Sequence, residues 1–252
     1  MERATEHATH ARIEREKNFH NERFSDEFRG AQDKYYAALD DCFENYFSGI
    51  SKSAKGGDVL EYGCATGQVS KRIAPLCNTI TGIDISDVAI NEANRTAAEN
   101  RMENASFHVM NAEDMSFDEA SFDLVFGSGI IHHLNLENSF REISRVLRSD
   151  GVAIFIEPLG TNALYNAYRY FTPNSRTPDE HPLKKDDFLV AEKYFSNIQL
   201  SFHGLTTLLC VPFRSTPLFN AVFKSTRSID RTLFMINRLK WQAWYVLMRL
   251  EK

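Results

Sequence analysis

Residues 58–67 read Asp-Val-Leu-Glu-Tyr-Gly-Cys-Ala-Thr-Gly, and a helical pattern takes over from Gln68 to Ile73. An apolar run that ends in Glu61, two glycines and a helix together spell strand, tight turn, helix. Such a turn brings bare backbone N–H groups to a helix N-terminus, where a ligand can approach because no Cβ intervenes. The spacing restricts the ligand. A dinucleotide fingerprint requires G-x-G-x-x-G; counted from Gly63, its second position holds Ala65 and its third holds Gln68. A carboxylate just before the turn repels phosphate and attracts an amine or a sulfonium. A tight βα turn without a ligand is the plainer alternative, but Glu at the end of a buried strand calls for a partner.

The rest of the chain suits one large α/β domain with a cap. It has 252 residues and a net charge of −5, which argues against generic nucleic-acid binding. Cys42, Cys64, Cys77 and Cys210 are scattered without a C-x-x-C pair, so they suggest no metal site and no disulfide framework. A polar opening and the lack of any apolar run near ~20 residues lead to the expectation of a cytoplasmic protein with no signal peptide or membrane span.

Strands are expected at 58–62, 79–84, 105–110, 122–126, 152–156 and 197–203, with a last one over 241–250 that runs antiparallel, where a helix is the competing reading. Helices are expected at 67–76, at 86–101 with Ser86 as N-cap, briefly near Glu113, and at 136–148, with a turn at Ser149-Asp150-Gly151. Another helix is expected at 184–195, and 157–183 reads as an aromatic, proline-bearing cap or loop with Pro158, Pro173, Pro178 and Pro182. The alternation implies a doubly wound, mostly parallel, seven-stranded sheet of Rossmann-like type. Residues 1–55 form a helical lid in this reading, 56–204 and 241–252 the sheet domain, and 205–240 a helical insertion or cap. His20, Arg23 and Tyr36 of the lid segment are within conceivable reach of a substrate, though packing explains each of them singly.

Each expected strand end carries a polar or small group. Asp84 closes the second strand and is placed to accept from both hydroxyls of a ribose. Asn111-Ala112-Glu113 follows the third, and Gly127-Ser128-Gly129 follows the fourth. In this order the motifs, together with Phe122-Asp-Leu-Val-Phe-Gly-Ser-Gly-Ile-Ile-His-His-Leu and Glu142-Ile-Ser-Arg-Val-Leu-Arg-Ser-Asp-Gly-Val, resemble the class I S-adenosylmethionine-dependent methyltransferases across residues 58–157. The resemblance implies S-adenosyl-L-methionine as cofactor. It implies that Glu61, Gly63, Cys64, Ala65, Gly67 and Gln68 surround the methionine part, that Asp84 and Ile85 meet the ribose, that Asn111, Ala112 and Glu113 surround the adenine, and that Gly127 and Ser128 line the methionine side. Two positions depart from the family pattern: Ala65 stands where a glycine is usual, and Asn111 where Asp is usual.

An activated methyl needs alignment more than acid–base chemistry, and alignment can supply about 7–11 kcal/mol. A hydroxyl nucleophile also gains from a base, worth ~10²–10⁴-fold. His132 and His133 beyond the fourth strand, and Glu157 at the end of the fifth, are the candidates, with a purely structural role for the histidine pair as the alternative. From Arg214 onward eight Lys/Arg face only Asp230 and Glu251, interleaved with Phe219, Phe223, Phe234, Trp241 and Trp244. That segment is either a helical cap packed on the sheet or a face toward a lipid-like acceptor or a membrane surface. The expected activity is methyl transfer, O-directed, to a small or amphipathic acceptor. A non-catalytic cofactor-binding module is the alternative from another class, and a nicotinamide oxidoreductase is disfavoured by Ala65 and Gln68.

Overall fold

In a computed structural model the chain forms one seven-stranded sheet flanked by helices. The structure describes residues 2–25, 36–171 and 180–252, with the side chains of 2–10, 23–25, 164 and 168 excepted. Arg23's side chain, Pro173 and Pro178 therefore lie outside the described residues.

The chain opens with α1 (Glu2–Ser25), a 3₁₀ turn (Ala37–Leu39) and α2 (Asp40–Ser53). The sheet domain then alternates β1 (Asp58–Tyr62), α3 (Gln68–Ile73), β2 (Thr79–Asp84), α4 (Asp87–Glu99), β3 (Ala105–Val109), β4 (Phe122–Ser128), α5 (Leu136–Val146) and β5 (Leu147–Pro158). It continues through α6 (Ala163–Phe171), the short α7 (Phe188–Ala191), β6 (Asn197–His203), a 3₁₀ segment (Thr206–Phe213), α8 (Phe219–Leu233), α9 (Asn237–Lys240) and β7 (Tyr245–Glu251). The strand order is β3-β2-β1-β4-β5-β7-β6. β7 runs antiparallel to both β5 and β6, and the other six strands are parallel.

Both faces of the central strands are covered, which is why they read as unbroken apolar runs. The period of two sorts their side chains between layers. Leu60, Val125, Ala153 and Phe155 pack with Phe140, Ile143 and Val146 of α5. Val59, Leu124, Phe126 and Ile154 pack on the other face with Cys42, Tyr46 and Ile50 of α2. α4 starts where Ser86 Oγ accepts from the Ala89 N–H at 3.0 Å, an N-cap that satisfies one orphan donor of the first turn.

Several local expectations are corrected. No helix forms near Glu113; Asn111 Oδ1 accepts from the Glu113 N–H at 3.0 Å and holds a turn instead. Ser149-Asp150-Gly151 does not end an element. β5 begins at Leu147, and Phe122↔Leu147 is followed by Leu124↔Val152, so two residues of β4 oppose five of β5. The turn-forming residues are absorbed as a bulge because both flanking segments still pair. α5 stops at Val146, earlier than 148, for the same reason. The 157–183 loop contains a helix, α6, whose start is marked by Asn162 Oδ1 accepting from the Tyr165 N–H at 2.8 Å. The 184–195 helix is shorter, a 3₁₀ turn (Lys185–Asp187) leading into α7.

Candidate active site

The carboxyl ends of β1, β2, β4 and β5 bring the strongest candidates together. The turn after β1 runs through three residues with positive φ: Gly63 at 78°, Ala65 at 46° and Gly67 at 72°. Its first N–H groups, those of Gly63 and Cys64, both donate to the Ile83 carbonyl, at 2.9 and 2.8 Å. This clips the turn to β2. A Cβ on Gly63 would stand 3.0 Å from Ile130, and one on Gly67 3.1 Å from Phe107, so the turn is a cradle that side chains would fill. Gln68 opens α3, and Cys64 is buried, which pushes its thiol pKa up.

Asp84 serves as the hinge of this region. One carboxylate oxygen accepts from the Ala65 N–H at 2.9 Å and the other from the Ser86 N–H at 2.9 Å. Ile85 lies between these anchor points. Glu61 is buried beneath the turn and accepts from the Ser70 hydroxyl of α3. Burial pushes its carboxyl up to about 8, opposed by that hydrogen bond and assisted by the charge of Asp84. The partner that a buried strand-end Glu requires is therefore Ser70.

Asn111, Ala112 and Glu113 border the same crevice after β3. The Tyr62 hydroxyl donates to the Ala112 carbonyl at 2.7 Å and fixes that turn against β1. Glu113 is buried, and its Oε1 accepts from the Asn135 N–H at 2.9 Å and from Arg12 at 2.6 Å. Gly127 and Ser128 end β4. A Cβ on Gly127 would come within 2.6 Å of the Tyr62 carbonyl, so only glycine lets the two strand ends approach this closely.

Beyond β4 the chain turns through a 3₁₀ segment, Ile131–His133. Glu157 of β5 is fully buried, and its Oε1 accepts from the N–H groups of Ile130 and Ile131, both at 2.9 Å. Its Oε2 lies 2.6 Å from His132 Nδ1. The three interactions fix the turn, and the carboxylate against Nδ1 sets the orientation of the imidazole ring. Nε2 stands 3.9 Å from Glu180, which is paired with Arg169 of α6. His133 points elsewhere. Its Nδ1 lies 3.2 Å from Glu16 of α1, and burial first, then the neighbouring His132, lowers its pKa.

α1 lies across these strand ends. Arg12 reaches Glu113 and the His133 carbonyl, the latter at 3.0 Å. Asn21 donates to Asp87 at 3.0 Å and accepts from the Ser86 hydroxyl at 2.6 Å. One helix thus touches the chain just past β2, β3 and β4. His20 packs its ring 5.3 Å from that of His133, centroid to centroid. Tyr36 stacks on Trp244 instead, at 6.3 Å, within an aromatic group that includes Tyr165. The parts that the sequence did not single out are Arg12, Glu16, Ser70 and Glu180. Glu16 and His20 were legible as an i, i+4 pair on one helix face; Glu180 carried no signal.

Residues 60–155 match the family described as methyltransferase domain. A probable S-adenosylmethionine-dependent methyltransferase of Saccharomyces cerevisiae is 29% identical over 131 residues, covering 51% of this chain and 43% of that protein. An uncharacterized protein of Methanocaldococcus jannaschii is 35% identical over 135 residues, covering 49% of this chain and 48% of that one. Residues 60–155 are a methyltransferase domain. The chain spans about half the length of the curated relatives it matches. The fold is shared with geranyl diphosphate C-methyltransferase of Streptomyces coelicolor, solved with Mg²⁺, geranyl diphosphate and S-adenosyl-L-homocysteine (TM-score 0.62, 14% identity, 89% of this chain and 87% of that one). The cradle after β1 and the carboxylates of Glu61 and Asp84 fit a cationic nucleoside.

Proposed function

We propose that this chain transfers a methyl group to a hydroxyl of a small or amphipathic acceptor. The observation that carries the reading is His132, anchored through Nδ1 to Glu157 in the turn just past the carboxyl end of β4, with its Nε2 on the far side of the ring, 3.9 Å from Glu180. In this reading Glu61, Gly63 and Gly67 hold the methionine part, with Cys64, Ala65 and Gln68 around it. Asp84 and Ile85 hold the ribose, Asn111, Ala112 and Glu113 surround the adenine, and Gly127 and Ser128 leave room for the chain leading to the sulfur. Bound S-adenosylmethionine supplies the activated sulfonium methyl.

The protein's own part is alignment. His132 Nε2 accepts a hydrogen bond from the acceptor hydroxyl, turns its lone pair toward the methyl, and receives the proton along the same bond. Glu157 does not touch the acceptor; it positions His132. His133 faces α1 and belongs to the lid. Alignment of this kind can supply about 7–11 kcal/mol, and proton removal a further ~10²–10⁴-fold.

A lipid-like acceptor is favoured by the segment between β6 and β7. Leu209, Phe213, Leu218, Ile229, Met235 and Ile236 are all exposed there, Met235 at 85%. Residues 205–240 also carry six Lys/Arg against Asp230 on a chain of net charge −5. The carboxylate of Asp230 is buried and accepts from the N–H groups of Leu205, Thr206 and Thr207, so it does not offset the surface charge. Since β6 is parallel to β5, this segment leaves the sheet at the same edge as the cofactor turn. Such a surface suits contact with an anionic membrane from which the acceptor is drawn.

The deciding measurement is S-adenosylhomocysteine formation with phenolic, sugar and lipid acceptors, the last presented in vesicles. His132→Ala is expected to lower turnover about 10²-fold or more with cofactor affinity unchanged. Turnover equal to wild type removes His132 from the mechanism. Cofactor binding without turnover on any acceptor class points to a regulatory binding module.

A further inference from the structure

The contact between α1 and the turn after β4 contains a set of donors that methyl transfer does not use. Glu16 and His20 lie one helical turn apart on the same face of α1. Glu16 Oε2 is 3.2 Å from His133 Nδ1 and 3.6 Å from His20 Nε2. One ligand atom from each residue falls within 4.8 Å of the others. For bonds of about 2.0–2.1 Å around a tetrahedral ion, neighbouring donors stand roughly 3.3 Å apart. Two edges of the triangle already have that length. The third closes by a small movement of His20, the most exposed of the three side chains at 20%.

We propose that Glu16, His20 and His133 bind a divalent cation of the zinc class, which ties the lid helix to the turn beside His132. Two imidazoles and one carboxylate suit Zn²⁺, Co²⁺ or Fe²⁺ better than Mg²⁺ or Ca²⁺, which prefer all-oxygen shells. Three protein ligands leave a coordination position open. Three further carboxylates, Glu113, Glu157 and Glu180, lie about the 131–133 turn; two of them are paired, Glu113 with Arg12 and Glu180 with Arg169. The backbone of His133 is also held, because its carbonyl accepts from Arg12. A rival triad of His132, His133 and Glu180 is less suited, since His132 is committed to Glu157 and Glu180 to Arg169.

The site stands apart from the acceptor and from methyl transfer, and is measured without either. Metal-free full-length protein is titrated with Co²⁺, followed by visible absorption and then by displacement with Zn²⁺. One saturable equivalent at tens of micromolar or tighter is expected, with ligand-field bands and a higher melting temperature in Zn²⁺. Glu16→Gln and His20→Ala should each weaken Co²⁺ binding at least ~tenfold, and His181→Ala, at an exposed ring 3.1 Å from Asp187, should not. Glu16 is buried and its variant is expected to lose stability, so His20→Ala decides, with its metal-free melting curve showing that it folds. Absence of saturable Co²⁺ binding by the wild type, or His20→Ala binding as tightly as wild type, overturns the proposal.

Discussion

Asp84 and Arg12 border the same crevice and are held by different kinds of contact. Asp84 accepts from Ala65 and Ser86, 19 and 2 positions away in sequence, and Glu61 accepts from Ser70, 9 away. Arg12 reaches Glu113 and His133, 101 and 121 positions away. These contacts of the cofactor side therefore lie within and just beyond the β1–α3–β2 unit, whereas those of Arg12 form only once the chain from α1 to the turn after β4 has folded. Short loops close at small entropic cost and are rigid; a helix pinned from a distance by a few polar contacts opens more easily than the sheet beneath it. In the proposed reading the rigid side holds the cofactor, and α1 acts as the lid that admits and releases it.

The largest effect expected from this division is on Asp84. Asp84→Ala removes the ribose acceptor of the proposed site and also the partner of two backbone N–H groups, so cofactor affinity by calorimetry should fall more than tenfold. Unchanged affinity would remove Asp84 from the binding site.

Glu61 gives a pH signature on the same side. Its carboxyl, raised to about 8 by burial, is mostly protonated at neutral pH. The folded state thus holds this proton more tightly than the unfolded chain. The stabilising contribution is complete below the ordinary carboxylate pKa near 4.5, and is lost as pH rises from there through about 8. A cationic ligand favours the ionised form, so binding should expel the proton and tighten as pH approaches 8, by at most about tenfold per unit. Calorimetry in buffers of different ionisation heat detects the release, and Glu61→Gln should abolish it. A proton balance that is the same in both proteins would show that Glu61 serves the turn and not the ligand.

The lid prediction is smaller. Arg12→Ala breaks the ion pair with buried Glu113, leaving that carboxylate, among the described residues, the Asn135 N–H. A charged hydrogen bond of this sort is worth about 1.5–3 kcal/mol. The melting temperature should fall and the cofactor should dissociate severalfold faster in stopped-flow measurements. If stability drops while the dissociation rate holds, α1 is scaffold and the contrast between the two sides fails.

The same contrast explains what could be read in the sequence. The spans 58–62, 79–84 and 197–203 coincide with β1, β2 and β6, because alternation and turn chemistry act over a few residues. Asp84 and Glu157 were visible as polar closures of strands. That Glu157 would grip His132 and the 130–131 amides was not, since the pairing depends on the register of β4 against β5. Glu180 was invisible for the same reason. The turn read at 149–151 is instead taken up as a bulge within β5, because Leu147 before it pairs with Phe122 and Val152 after it pairs with Leu124 and Glu251.

The smallest effect belongs to Ala65, and it tests whether the cofactor side is as local as its contacts suggest. Ala65 occupies φ 46° between two glycines that are also left-handed, and its N–H is fixed by Asp84. A left-handed conformation costs an L-residue about 1–2 kcal/mol. Glycine relieves that strain but adds about 0.5–1 kcal/mol of unfolded-state entropy. Ala65→Gly should therefore raise stability by no more than about 1 kcal/mol, a shift of roughly 2–4 °C for a domain of this size. Ala65→Val should lower it, because a β-branched side chain tolerates positive φ less well. The cofactor dissociation rate is the informative control. With the strain confined to the turn, it should match wild type in Ala65→Gly while Arg12→Ala changes it. A glycine variant that releases cofactor as fast as Arg12→Ala would mean that strain at the turn is transmitted to α1, through the Asp84–Ser86–Asn21 chain of hydrogen bonds.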